Sequence, residues 1–193
     1  MSKVTVLNAE KKVFLYESTI AEELALAAAM DEELALHALT TVCGCLMMSV
    51  TEKVLEMIRQ AAPSSPITEV GNYIVIIEEF TSTLSDEERR AVIAHEMGHV
   101  DHGHLEGRDG EGVVLQLQYE LEADQAAVRE VGAAAMASAL VKLINRSHDI
   151  QLDYLAKNAG RYMQVFKSRE VIEFSRTTVL NNDIIVKRLA ALQ

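Results

Sequence analysis

His95-Glu96-Met97-Gly98-His99 is the run in this chain whose residue types and spacing can do chemistry. On a helix, positions four apart lie about 40° from each other around the axis, so the imidazoles of His95 and His99 can reach one metal ion. Glu96 sits on the flank of that face, where it can take a proton from a water held by the ion. The flanking sequence puts the motif in mid-helix. Ser85-Asp86-Glu87-Glu88 has the form of a capping box and opens a helix over about 86–102. Ala91, Val92, Ala94, Met97 and Val100 supply its apolar contacts, and Gly103 stops it.

A catalytic zinc needs a third protein ligand and an open position. Three candidates compete. Glu120-Leu121-Glu122-Ala123-Asp124 offers Glu120 as ligand, with Asp124 one turn on and on the same face to accept the outer N–H of His95. Ala123 and Ala127 beside that stripe let a second helix, about 113–131, approach the first closely enough to share an ion. His104 or His102 would give a three-histidine site. The metzincin spacing fails, because the positions it reserves for Gly and His hold His102 and Leu105. Cys45, in Cys43-Gly44-Cys45-Leu46, is similar to the Gly-Cys-Leu segment of peptide deformylases. That family carries Asp before the second histidine, where this chain has Gly98, and the stretch around Cys45 reads as helix.

Leu84-Ser85-Asp86-Glu87-Glu88, then Ala91-Val92-Ile93-Ala94-His95-Glu96-Met97-Gly98-His99, then Glu120-Leu121-Glu122-Ala123-Asp124 resemble the gluzincin metallopeptidases of the CAAX prenyl protease and HtpX type. Tyr73-Ile74-Val75-Ile76-Ile77 stands where that family has an apolar strand, and the resemblance covers about residues 67–131. It implies a zincin-like fold with a small β-sheet beside the motif helix, bound Zn2+, Glu120 as the third ligand, Glu96 as general base and Asp124 as the orienting carboxylate. Two departures stand out. Many members carry transmembrane helices around the catalytic helix, and none is evident there. Near the C-terminus the family often has a His-Pro pair several residues before an Arg, to hold substrate or the oxyanion. This chain has Asn182-Asp183 at that spacing before Arg188.

With 193 residues, 49% of them hydrophobic, the chain can bury a core as one domain spanning 1–193. A net charge of −11 argues against general nucleic-acid binding, which needs a basic footprint, and against docking on anionic lipid. Two cysteines separated by one glycine make no disulfide framework. The N-terminal residues have no apolar core of signal-peptide length, so a cytoplasmic location is expected. Leu34 to Thr51 carries no charged residue and approaches the length of a membrane span. Its acidic flank and lack of aromatic anchors favour a buried helix instead.

The class read from these patterns is α+β, dominated by helices. Lys3 to Leu7 and Lys12 to Tyr16 alternate as two strands of a hairpin. Thr19-x-x-Glu22 caps a long helical region running to about Ala61. Ile67 to Val70 and Tyr73 to Glu78 read as strands around a Gly71-Asn72 turn. Residues 103–112 form a Gly-rich loop between the two ligand helices, and the chain is mostly helical from Gly132, with breaks near Ser147 to Asp149 and Gly160. His37 reads as a core histidine, His102 and His104 as solvated loop residues, and His148 as a partner of a helix C-terminus. Tyr154, Arg161, Tyr162 and Arg188 can each supply an oxyanion donor, and Glu78, Glu79 and Asp86 to Glu88 read as solvated surface.

The function these readings support is a zinc metalloendopeptidase acting on a protein or peptide, with cleavage of one dedicated partner as a variant of the same reading. The strand Tyr73 to Ile77 would offer a sheet edge for an extended peptide. Two rivals are a non-catalytic protein that keeps zinc as a staple and a deformylase-like metallohydrolase with Cys45 as ligand.

Overall fold

A computed structural model of the chain describes residues 2–23, 45–104, 113–157 and 183–193. It divides into two compact units, Met1–Leu84 and Ser85–Gln193. The class is α+β, rich in helix, with one mixed four-stranded sheet among the described residues.

The first unit holds the sheet. Strands β1 (Lys3–Asn8) and β2 (Val13–Ser18) form the expected antiparallel hairpin. The Asn8 side chain accepts a hydrogen bond from the Lys11 backbone N–H at 3.0 Å, which tightens the turn. The Thr19 capping box is present: Glu22 N–H donates to Thr19 Oγ1 at 3.3 Å, and Thr19 N–H donates to Glu22 Oε2 at 3.0 Å. Residues 20–23 are helical, and the Ile20 N–H also donates to Glu79 Oε2 at 3.0 Å. Glu79 is thus a cap for a distant helix start, not simply solvated surface.

The long helical region does not persist. Residues 45–50 form strand β3 (Cys45–Val50), antiparallel to β4 (Gly71–Ile77). An uncharged apolar run suits a strand in a sheet as well as a buried helix, and periodicity does not separate the two. A new helix, α1 (Glu52–Ala61), then starts at Thr51, whose side chain accepts from the Val54 N–H. Residues 34–44 of the uncharged stretch, with His37, lie outside the described residues, as do 105–112, Arg161, Tyr162 and Asn182. Among the described residues no helix is long and apolar enough to cross a membrane.

Gly71 and Asn72 open β4 rather than turning a hairpin, and Ile67 to Val70 is not a strand. The strand order is β1-β2-β4-β3, with β2 parallel to β4. Tyr73 to Ile77 are all buried, as expected of an interior strand. β4 is therefore no edge for a peptide, because both of its sides are already paired. A four-residue helix, α2 (Glu78–Thr81), follows it.

The second unit packs helices α3 (Asp86–Asp101), α4 (Val113–Val131) and α5 (Ala133–Lys157) together, with residues 183–191 forming α6. α5 runs unbroken through Ser147 to Asp149. Ala91, Val92 and Ala94 of α3 are buried, with Ala123 and Ala127 of α4 and Met136, Ala139, Leu140 and Leu143 of α5. The crossing of α3 and α4 is set by small residues. A Cβ on Gly98 would lie 2.9 Å from both Ala123 Cα and Ala126 Cβ.

The capping box of α3 is complete, and it does more than cap. Glu88 Oε2 accepts from the Ser85 N–H at 2.7 Å and from the Lys142 ammonium at 2.7 Å. Glu88 Oε1 accepts from the Ser138 hydroxyl at 2.6 Å. One buried carboxylate therefore ties the start of α3 to α5, where the sequence pattern suggested solvated surface.

Two outcomes follow from this packing. Gly98→Ala gains about 1 kcal/mol in helix propensity, but the new methyl meets backbone, which cannot swing aside. Overpacking of this kind costs about 1–3 kcal/mol, so differential scanning calorimetry is expected to show a Tm several degrees lower. For Glu88, the Lys142 ammonium, the Ser138 hydroxyl and the Ser85 N–H hold the carboxyl down at about 2, against an ordinary 4.5. A depressed folded pKa gives stability that is present above the unfolded value and lost as pH falls through the folded one. Glu88→Gln is expected to cost about 1–2 kcal/mol at neutral pH. Chemical denaturation should show that difference shrinking between pH 4.5 and about 2.

Candidate metal centre

His95 and His99 lie on the buried side of α3, one turn apart, with Glu96 and Gly98 buried between them. Their Nε2 atoms face each other at 3.2 Å. Glu120 reaches them from α4, with Oε2 at 3.3 Å from His95 Nε2 and Oε1 at 3.6 Å from His99 Nε2. The three residues form a group of potential metal ligands whose atoms all lie within 4.8 Å of one another. Tetrahedral zinc with bonds of roughly 2.0–2.1 Å separates its ligand atoms by roughly 3.3–3.4 Å. The observed contacts of 3.2–3.6 Å are close to that spacing, with each carboxylate oxygen of Glu120 facing one imidazole. The Glu120 side chain is 29% exposed and the two histidine side chains only 7% and 6%, so the carboxylate is the most open of the three.

The approach of α3 and α4 at Gly98 is what brings the third group into range. Glu120 stands three residues before Ala123, and Ala123 lies against Gly98, between the two histidines in sequence. Asp124, one turn beyond Glu120, is buried, and its Oδ1 accepts from His95 Nδ1–H at 2.9 Å. With that proton on Nδ1, Nε2 keeps its lone pair and points it at the group.

Arg188 of α6 binds the same carboxylates. Its Nε donates to Asp124 Oδ2 at 2.8 Å and its Nη2 to Asp124 Oδ1 at 2.7 Å, a two-pronged pair. Its Nη1 lies 2.7 Å from Glu120 Oε2. Arg188 is buried, and these contacts tie both carboxylates to α6.

The field at the group favours positive charge. Burial works against a charged His95, yet hydrogen bonds to Asp124 and Glu120 outweigh it and raise the imidazole's pKa. Burial likewise opposes the charge on Glu120 and on Asp124, but their bonds to His95 and the Arg188 guanidinium hold both carboxyls below their usual range. Glu96 adds its charge to the field at His95 and Arg188. Three carboxylates against one guanidinium leave an excess of negative charge when the histidines are neutral. A dication between His95, His99 and Glu120 would balance it. Donor chemistry, spacing and charge therefore all fit zinc.

The structure thus brings together His95, His99, Glu120 and Asp124 and keeps Glu96 buried beside them. His104 is not among the potential ligands. It is buried, and its Nδ1 lies 3.0 Å from His99 Nδ1, on the side of that ring away from Glu120. His102 ends α3, its Nδ1–H donating to the Gly98 carbonyl at 2.8 Å. Cys45 begins β3, contrary to the helical reading, and its side chain, like that of Tyr154, lies outside what is described. Sequence reasoning missed the carboxylate clamp of Arg188, which is 64 residues from Asp124 and carries no local signal. It also missed the partnership of His104 and Glu122, although Gly103 ahead of a histidine was a readable sign of a helix end folding back.

The sequence matches the model of peptidase family M48 over residues 67–177, more than half of the chain. No curated protein and no solved structure gives a significant match. The matched segment includes both α3 and α4, and so every residue of the potential metal group and Asp124. The chain belongs to peptidase family M48, a family of metallopeptidases that generally use zinc.

Proposed function

We propose that this protein is a zinc-dependent endopeptidase of gluzincin type, resembling the catalytic domains of CAAX prenyl proteases and HtpX, and that it hydrolyses peptide bonds of a protein or peptide substrate. The observation that carries this reading is the convergence of His95 Nε2, His99 Nε2 and the Glu120 carboxylate within 4.8 Å of one another, with Asp124 behind His95. These three side chains would hold the ion, and the partly exposed side of Glu120 would face the substrate. Zinc, when bound there, lowers the pKa of water toward neutrality and polarises a carbonyl.

The rest of the work falls to the chain's own groups. Asp124 keeps the His95 proton on Nδ1, and Arg188 keeps Asp124 and Glu120 ionised and in register. Glu96 is the general base. Its carboxylate accepts the proton of the attacking water and hands it to the leaving amine nitrogen. The match to the family model spans both sides of the Leu84/Ser85 boundary, which supports reading residues 67–177 as parts of one metallopeptidase domain.

Elemental analysis is expected to find close to one zinc per chain in the purified protein, and none in Glu120→Ala. Full zinc in Glu120→Ala would remove it from the ligand set. Asp124→Ala should weaken zinc by roughly 10–100-fold in a chelator competition. Glu96→Gln keeps shape but cannot accept the proton. It should retain zinc and lose roughly 10²–10⁴-fold in the rate of cleavage of an unfolded protein or peptide library. Equal cleavage by wild type and Glu96→Gln would refute the mechanism. Full zinc with no cleavage of any substrate would favour a protein that keeps the metal as a staple.

A further inference from the structure

We propose that His104 and Glu122 form an orienting chain behind the metal centre, fixing His99 as Asp124 fixes His95. The inference rests on the zinc reading above, and it concerns residues that reading does not use. The chain of contacts is short and continuous. His99 Nδ1 lies 3.0 Å from His104 Nδ1, and His104 Nε2 lies 2.9 Å from Glu122 Oε2. Gln118 Nε2 donates to Glu122 Oε1 at 2.9 Å, one turn back on α4.

The end of α3 builds this arrangement from its backbone. Gly103 has φ 70°, in the left-handed region that favours glycine. Its N–H donates to the Val100 carbonyl at 3.2 Å, and the His104 N–H donates to the His99 carbonyl at 3.0 Å. This pair of bonds, spanning five and three residues, is a Schellman cap. It lays His104 directly against the residue whose carbonyl it caps. The His104 ring is then stacked on Tyr119 of α4, centroids 4.2 Å apart and planes 24° from parallel, with His102 on its other side at 5.3 Å. The His104 side chain is 3% exposed, so its ring is held by packing as well as by hydrogen bonds.

With an ion at His99 Nε2, one set of protons fits the contacts of His99, His104 and Glu122. If His99 offers the Nε2 lone pair to the ion, its proton is on Nδ1 and must be donated. The acceptor is His104 Nδ1, which must then carry a lone pair. The His104 proton is left on Nε2, where the Glu122 carboxylate accepts it. A phenylalanine would fill the same stacked space, but it could not accept the His99 proton. His104 and Glu122 are therefore positioning residues. They act through His99 and hold its tautomer and ring angle, the outer support that ligand histidines ordinarily need.

Zinc affinity is the readout, measured by chelator competition on the full chain. His104→Phe keeps the stack on Tyr119 and removes both nitrogens; it should weaken zinc by roughly 10–100-fold. His104→Asn, whose Oδ1 falls near the place of Nδ1, should recover most of that loss. Glu122→Ala lies at the rim, 34% exposed, where truncation is compatible with folding. It should weaken zinc by a smaller factor, and its effect should largely vanish in the His104→Phe background. Nitrogen–proton NMR correlations of the zinc-loaded wild type should show His99 protonated at Nδ1 and His104 at Nε2. Unchanged affinity in both His104→Phe and Glu122→Ala, or a His104 ring protonated at Nδ1, overturns the inference while the three-ligand centre stands. A wild-type chain that takes up no zinc overturns both.

Discussion

Gly98 meets Ala123 and Ala126 where α3 and α4 cross, and the geometry of the candidate centre depends on that contact. A helix pair with ordinary side chains at the crossing would stand further apart, with axes at the usual 8–10 Å or so. Glu120 is carried on the same stretch of α4 as Ala123, so the distance from Gly98 to Ala123 sets the distance from Glu120 to the histidines. A mid-helix glycine costs about 1 kcal/mol relative to alanine. Here that cost is the condition for three ligand atoms spaced as one small ion requires. The Glu88 clamp acts in the same direction from the other end of α3, fixing its start against α5.

Charge completes what packing begins. Carboxylates drawn out of water are expensive unless each has a partner, and the buried Asp124 and half-buried Glu120 have theirs in His95 and Arg188. The two-pronged contact to Asp124 uses Nε and Nη2 of the guanidinium, and Nη1 remains for Glu120. A lysine at this position could not hold both in fixed geometry, because its single ammonium has no planar fork. The result is a rigid anionic cradle on α4 facing the nitrogens of α3. Such a cradle favours a cation in advance of any substrate, which is the preorganisation a hydrolytic centre needs.

What was legible in the sequence was what short-range physics decides. The capping boxes at Thr19 and Ser85, the span of α3, and the facing stripe of Glu120 and Asp124 all follow from positions three or four apart, and the structure shows them. Failures came where partners are distant. The stretch holding Cys45 to Val50 has no charge and little alternation, so only its pairing with β4 makes it a strand. β4 itself carries an unbroken apolar run, the mark of a strand enclosed on both faces, and reading it as an edge ignored that. Arg188 sits in a helix of its own, and nothing within a few residues of it points to Asp124.

The end of α3 shows the same divide within one turn. Gly103 was readable as a stop, because a glycine after an apolar periodic run signals one. Taken only as a stop, Gly103 leaves His104 as either a ligand or a loop residue. The left-handed turn at Gly103 gives a third result. It reverses the chain so that the residue after the glycine returns to the helix, beside the second ligand histidine. A histidine placed there is buried and meets His99 at Nδ1 rather than at Nε2, the nitrogen that faces Glu120. The two histidines of the candidate centre thus have partners from two different sources, His95 a carboxylate from α4 and His99 the cap of its own helix. The helix end is part of the site's construction, and a change in its turn would alter the ligand it supports.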